Sequence, residues 1–377
     1  MHEWRNITIT GIIAEFNPLH FGHQALISHV KASSEACVVV LSSNFTQRGS
    51  PSFTDKFSRA RMALLAGADL VFELPFMFAC SAGQDFARGA VRLVSHFADT
   101  LAFGMETPDF DAAGLLHAED SDSYTRTLRR ELSRGASYPK AHSLALEAVV
   151  PGAGEFVSQP NNMLAVSYMR EILRNDYALS VMKVKREGAF RSKAVREDLA
   201  GNVDMLPESS RRVLSESEVS DESRLWSLLQ GVFIRSRPED LRKVYGIDEG
   251  IEGLFLKHWR DSQGLEDFIG RCVCARYTRA HIRRRLVYIL LGLDRREVMC
   301  AMKEGVPYAR VLGFNGKGRE ILRRDSGIGV ITRLADAQGR TGKYFADVEY
   351  RASQLYELTL TRQDFTRETQ KPVIIHP

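Results

Sequence analysis

Two histidines and a glycine, in the run His20-Phe21-Gly22-His23, follow an apolar stretch, Ile7-Thr8-Ile9-Thr10-Gly11-Ile12-Ile13-Ala14, that breaks at Asn17-Pro18. Pro18 cannot donate a ladder hydrogen bond and drives Asn17 toward extended backbone, so a strand must stop there and the chain must turn. The two imidazoles then fall on one face at the start of a helix, and Gly22 between them leaves no Cβ to obstruct a phosphate. A helix N-terminus adds free N–H groups and partial positive charge. Such a site suits an α-phosphate that gains negative charge under attack, which is the chemistry of nucleotidyl transfer. The sequence contains no Walker-type phosphate loop.

Stepping along the chain, the first half alternates apolar strands with helical patterns. A helix over about 20–34 precedes a buried strand at Cys37-Val38-Val39-Val40-Leu41, and a loop covers 43–55. A helix over 57–67 ends at Gly67, Leu70–Pro75 is a third strand, 81–97 a helix, and Thr100–Gly104 a fourth strand. Residues 178–184 read as a fifth. This is βαβ repetition around a parallel sheet, in which ligands sit at the carboxyl ends of strands. The segments 14–23, 42–49 and 104–106 would converge there.

The fold class is therefore α/β: a Rossmann-like nucleotidyltransferase domain over 1–205, with a helical insertion at about 109–175, followed by a mainly α-helical domain over 206–377. At 377 residues two domains are the natural expectation. A net charge of +4 is too weak by itself to argue for nucleic acid. The five cysteines include no Cys-x-x-Cys pair, and no secretory segment precedes them, which points to reduced thiols in a cytoplasm and to no metal site. No apolar run approaches the roughly 20 residues a membrane span requires.

The loop Ser42–Pro51 is rich in donors, and Asn44, Gln47 and Arg48 read as substrate and phosphate contacts; the plain alternative is a solvated loop. Asp55, Lys56, Arg59 and Arg61 read as the charged first turns of a surface helix. Arg186 and the segment Ser192–Arg196 follow the fifth strand and could reach triphosphate oxygens. Farther on, Arg271 opens a stretch to Arg285 that holds no acid, with Arg276, Arg279 and Arg283 along one helical stripe. That is a candidate phosphate-backbone track, with Tyr277 available for stacking and Lys317, in a glycine-rich turn over 310–319, as a further RNA contact or cap over the cleft.

Taken together, Ala14–His23, Ser42–Gly49, Gly67–Pro75, Phe103-Gly104-Met105-Glu106, Pro160-Asn161-Asn162 and Val311–Asn315 resemble, in that order, the bacterial tRNA(Met) cytidine acetate ligases. The resemblance implies an ATP-dependent enzyme that uses free acetate to convert the wobble cytidine of elongator tRNA(Met) to N4-acetylcytidine. It implies ATP contacts at Ile13, Ala14, Glu15, Phe16, Asn17, Pro18, Gly22, His23, Gly104, Asn161, Asn162 and Arg186, with His20 and His23 catalytic and Mg²⁺ bound mainly by phosphate oxygens. The chain departs from that family pattern at Ser43 for Gly, Cys80 for Gln, Met105 for Ser and Lys193 for Thr, and in a shortened segment after Gly188. Two other readings compete: a small-molecule adenylyltransferase of cofactor biosynthesis, and a non-catalytic RNA-binding protein on the same scaffold.

Overall fold

The computed structural model describes residues 8–186, 190 and 192–376. Eight strands form one sheet: β1 (Ile9–Ala14), β2 (Ala36–Ser42), β3 (Leu70–Leu74), β4 (Thr100–Met105), β5 (Ser180–Lys185), β6 (Ala309–Phe314), β7 (Val330–Ile331) and β8 (Ile374–Ile375). Their order is β5-β4-β1-β2-β3-β6-β7, with β8 also paired to β6. Every pairing is parallel except β3 with β6. β2 and β3, rich in Val, Leu and Phe, are buried along their whole length, as apolar strands are when helices cover both faces.

The chain leaves β1 toward β2 and β3, then returns to β1's other side for β4 and β5, so strand order reverses between β1 and β4. A crevice opens outside the carboxyl ends of the strands at such a reversal. The helix Phe21–Ser33 starts at that end of β1, with His20 as its N-cap. The strands and helices expected over the first half are all present, within one to three residues of their expected ends.

Two expectations are corrected. The region after 206 is mainly helical, but where a glycine-rich turn is expected over 310–319, Ala309–Phe314 forms β6 against the open edge of β3. A strand edge left bare would expose a row of unpaired N–H and C=O groups, and β6 covers it. The helical body that stands apart is smaller: the helices Leu225–Arg235, Ile251–His258, Leu265–Cys272 and Arg279–Leu291 enclose a core of their own around Phe233, Phe255, Phe268 and Leu286.

Nor do Lys56 and Arg59 lie on a surface helix. In the helix Lys56–Leu65 both are fully buried, while Arg61 alone keeps the expected exposed position, paired with Glu216 at 2.5 Å. Lys56 Nζ reaches Glu73 at 2.5 Å, Glu368 at 2.9 Å and Glu349 at 3.0 Å, and Arg310 reaches Glu73 at 2.9 Å and also Glu368. Three carboxylates face two cations, so the charges balance when one carboxyl keeps its proton. Burial and the neighbouring Glu73 raise the Glu349 pKa, whereas Lys56 and Arg310 hold that of Glu73 below its usual range.

Candidate active site

A cavity of about 880 Å³ occupies the β1–β4 crevice. Its floor is the end of β1 and the turn after it: Ile13, Ala14, Glu15, Phe16 and Asn17, with Gly22 and His23 from the helix beyond. Phe16 takes the left-handed backbone region at φ 43° and is 1% exposed, a conformation that a bulky residue holds only when its surroundings enforce it. Asn17 is fixed by its neighbours. Its side-chain oxygen accepts the Phe53 N–H at 2.5 Å and its carbonyl accepts from Arg196 at 2.7 Å. The Asn17-Pro18 bond is cis, and Pro18 itself does not line the cavity.

The two histidines act as a stacked pair. Their ring centroids lie 3.7 Å apart and 14° from parallel, and the His20 N–H donates to His23 Nδ1 at 3.3 Å. With Nδ1 as acceptor, a neutral His23 ring carries its proton on Nε2. His23 faces the cavity; His20 lies behind it, 2% exposed, with Nδ1 unpartnered among the described residues. Burial, then the Arg186 charge, lowers the His20 pKa to about 4. Burial, followed by the charges of His20 and Arg186, lowers that of His23 well below 6.5. Both rings are thus neutral donors at pH 7, matched to anionic oxygen without adding a buried cation.

Cations come from every side. Arg48 from the loop after β2, Arg186 after β5, Arg196 from the helix Ser192–Glu197 and Arg284 from the helix Arg279–Leu291 all line the cavity, and the lining carboxylate is Glu15. None of the four arginines forms an ion pair among the described residues. Glu15 accepts the Gln47 N–H at 2.8 Å, and fully buried Arg59 donates to the carbonyls of Glu15 at 2.7 Å and Ser43 at 2.6 Å, clasping the two loops together. Gly104 lines the wall where a Cβ would come within 3.0 Å of Arg186 Cγ. Ser192 and Arg196 face the cavity although Lys193 departs from the family pattern, because Lys193 points outward to Glu197 at 3.5 Å. Glu187, Gly188 and Arg191 lie outside the described residues.

Not every expected residue arrives. Gln47 and Arg48 line the cavity, but Asn44 is buried away from it, accepting the Lys56 N–H at 2.8 Å. Asn161 lines the wall and donates to Glu106 at 2.5 Å, whereas Asn162, fully buried, accepts the Glu106 N–H at 3.0 Å and orders that turn from behind. The arginine stripe is also rearranged. Thr278 caps the helix, so Arg276 stands outside it, and Tyr277 is 5% exposed with its hydroxyl on the Glu249 carbonyl, closed to stacking. Acids from neighbouring segments supply the counter-charges the stretch lacks: Asp267 for Arg271, Glu249 for Arg276, Glu266 for Arg279, and Glu222 with Glu266 for Arg283. Lys317 donates to the Glu35 carbonyl, at the amino end of β2 and therefore at the opposite end of the sheet from the cavity. It does not cap the cleft.

Sequence reasoning missed two contributions. One is Arg284 with Ala280, four positions apart on one helix face. The other is a wall from the insertion: Tyr138, His142 and Arg170 line the cavity, with His142 Nδ1 and the Tyr124 hydroxyl 2.8 Å apart and Arg170 Nε donating to Glu119 at 2.9 Å. The insertion reads as polar because these groups pair with one another across separate helices.

The model of the HIGH Nucleotidyl Transferase family matches residues 7–371. A tRNA(Met) cytidine acetate ligase of Clostridium perfringens is 30% identical over 93% of this chain and 95% of its own, and that of Syntrophomonas wolfei is 34% identical over 84% of each. The crystal structure of Thermotoga maritima TmcAL bound with alpha-thio ATP superposes with a TM-score of 0.89 at 25% identity, covering 98% of this chain and 99% of that one. The chain belongs to the HIGH nucleotidyltransferase family, among the tRNA(Met) cytidine acetate ligases.

Proposed function

We propose that this protein is an ATP-dependent ligase that activates acetate in the β1–β4 cavity and transfers the acetyl group to N4 of the wobble cytidine of elongator tRNA(Met). The observation that carries the reading is the convergence of His23, Arg48, Arg186 and Arg196 on one cavity whose lining, among the described residues, holds a single carboxylate, Glu15. An acetate oxygen attacks the α-phosphorus of ATP and pyrophosphate leaves, giving acetyl-adenylate. The cytidine amine then attacks the acetyl carbonyl, AMP departs and the amine loses a proton. His23, backed by His20, donates to phosphate oxygen as negative charge builds, and the arginines hold the polyphosphate in line.

Ile13–Asn17, Gly22, Gly104, Asn161 and Arg186 hold the nucleotide in this reading, with Pro18 and Asn162 shaping the turns behind them. Mg²⁺ accompanies ATP, held chiefly by phosphate oxygens, since the described residues form no cluster of three or more His, Cys, Asp or Glu side chains suited to a metal. Arg271, Arg276, Arg279 and Arg283 form the proposed tRNA track; of their acid partners Glu249 and Glu266 are each 61% exposed and Asp267 39%, so an RNA phosphate can displace these three at modest cost. Lys317 would meet RNA only if the tRNA wraps to the opposite end of the sheet. No helix among the described residues is long and apolar enough to cross a membrane, and we place the enzyme in the cytoplasm with its substrates.

Pyrophosphate release from ATP, measured with and without acetate, tests the first step. Nucleoside analysis of tRNA(Met) after incubation with ATP and labelled acetate tests the second. Absence of acetate-dependent pyrophosphate release would overturn the proposal, and release driven only by a phosphorylated metabolite would favour a small-molecule adenylyltransferase.

A further inference from the structure

We propose that Arg284 binds a polyphosphate oxygen of the nucleotide, so that a helix of the C-terminal region is part of the ATP site and not only a surface for RNA. This rests on the reading that the cavity holds ATP. Four observations lead to it. The loop after β2 packs directly on the helix Arg279–Leu291 at Gly49, where φ is +85° and a Cβ would collide with the Arg284 backbone nitrogen. That contact seats Ala280 and Arg284 in the cavity wall beside Gln47 and Arg48. Arg279 and Arg283, on the adjacent face, are occupied by Glu266 and Glu222.

Arg284 itself is 9% exposed, and no carboxylate pairs with it among the described residues. One Nη donates to the Gln47 carbonyl at 2.9 Å, which fixes the plane of the guanidinium, while the buried Nε has no partner. A buried cation held by a single neutral carbonyl is expensive unless an anion completes its shell. Arg48, Arg196 and Arg284 share the Glu15–Gln47 side of the cavity, and Glu15 is already engaged by the Gln47 N–H. One acetate carboxylate is too little charge for three guanidiniums, whereas a chain of phosphoanhydride oxygens matches them in charge.

The test is equilibrium binding of a non-hydrolysable ATP mimic and of AMP to the full-length protein, for the wild type, Arg284→Met and Arg284→Lys. Loss of a polyphosphate contact weakens binding of the ATP mimic by roughly tenfold or more in Arg284→Met, changes AMP binding less than about twofold, and is partly restored in Arg284→Lys. Equal losses for both nucleotides would mark Arg284 as a structural strut and overturn the proposal. So would unchanged nucleotide binding with weakened tRNA binding, which would make the anion an RNA phosphate. If Arg284→Met does not fold, Arg284→Gln, which keeps polar contact without the charge, carries the same contrast between ATP mimic and AMP. A wild type without acetate-dependent pyrophosphate release would sink the ligase assignment, yet the two-nucleotide contrast would still decide the role of Arg284.

Discussion

Two clusters of charge lie within the same fold and follow opposite rules. Around Lys56 and Arg310, each cation has carboxylate partners within 3.0 Å, and buried side chains from β3, β6 and the helix Gly339–Glu357 are locked together. Around the cavity, Arg48, Arg186, Arg196 and Arg284 have carbonyl partners or none, and the carboxylate among them is committed to a backbone amide. The first cluster is complete in the protein alone; the second is completed by a ligand. Equal residue types thus mark structure where their charges are matched and binding where they are not.

The largest expected effect lies in the matched cluster. Lys56→Met leaves Glu73, Glu349 and Glu368 facing Arg310 alone and should cost about 3–5 kcal/mol in chemical denaturation, with part of that recovered by adding Glu349→Gln. A loss below about 1 kcal/mol would show that the cluster tolerates imbalance and would blunt the contrast. In the cavity the same kind of deletion should spare the fold and strike the chemistry. His23→Ala should lower acetate-dependent pyrophosphate release by roughly 10²–10³-fold while tRNA affinity stays nearly constant. Adenylation at full rate would remove the histidines from the phosphate site.

A smaller effect is expected where charges are matched but exposed. Arg279→Glu should weaken tRNA binding and reduce its salt slope by about 1, with adenylation unaltered, because its Glu266 partner is a solvent-screened substitute for phosphate. An unaltered slope would take Arg279 out of the RNA footprint. The smallest effect concerns pH. His20 and His23 have folded pKa values below the unfolded 6.5, His20 at about 4, so the unfolded chain binds more protons as pH drops. Their contribution to stability is complete above 6.5 and is lost as pH falls from there toward 4. Denaturation midpoints at pH 7 and pH 5 should differ accordingly, and His20→Asn should shrink the difference.

What was legible in the sequence was local. The strand–turn–helix around His20 and His23 follows from Pro18, Gly22 and apolar runs, and the parallel sheet follows from strands alternating with helices. Placing 14–17, 22–23 and 104 at one crevice required only strand polarity. What escaped depends on distant partners. Lys56 and Arg59 look solvated until Glu73, Glu349 and the loop carbonyls close over them. The arginine stretch looks unbalanced because Glu222, Glu249 and Glu266 belong to other segments. β6 was unreadable as a strand because its short apolar run is bracketed by Arg310 and Gly313, and only the edge of β3 gives it a place. Arg284 had no distinguishing signal within a run of arginines; the packing of Gly49 singles it out.

The antiparallel seam between β3 and β6 joins parts of the chain made far apart in time. As the polypeptide leaves the ribosome, β3 must wait with one rim bare until residues 309–314 have been synthesised, and Arg310 arrives only then to join Lys56 on Glu73. A truncated fragment stopping near residue 205 keeps that rim permanently and should stick to its own copies. The solubility of that fragment beside the full-length chain measures how far closing the rim protects the sheet.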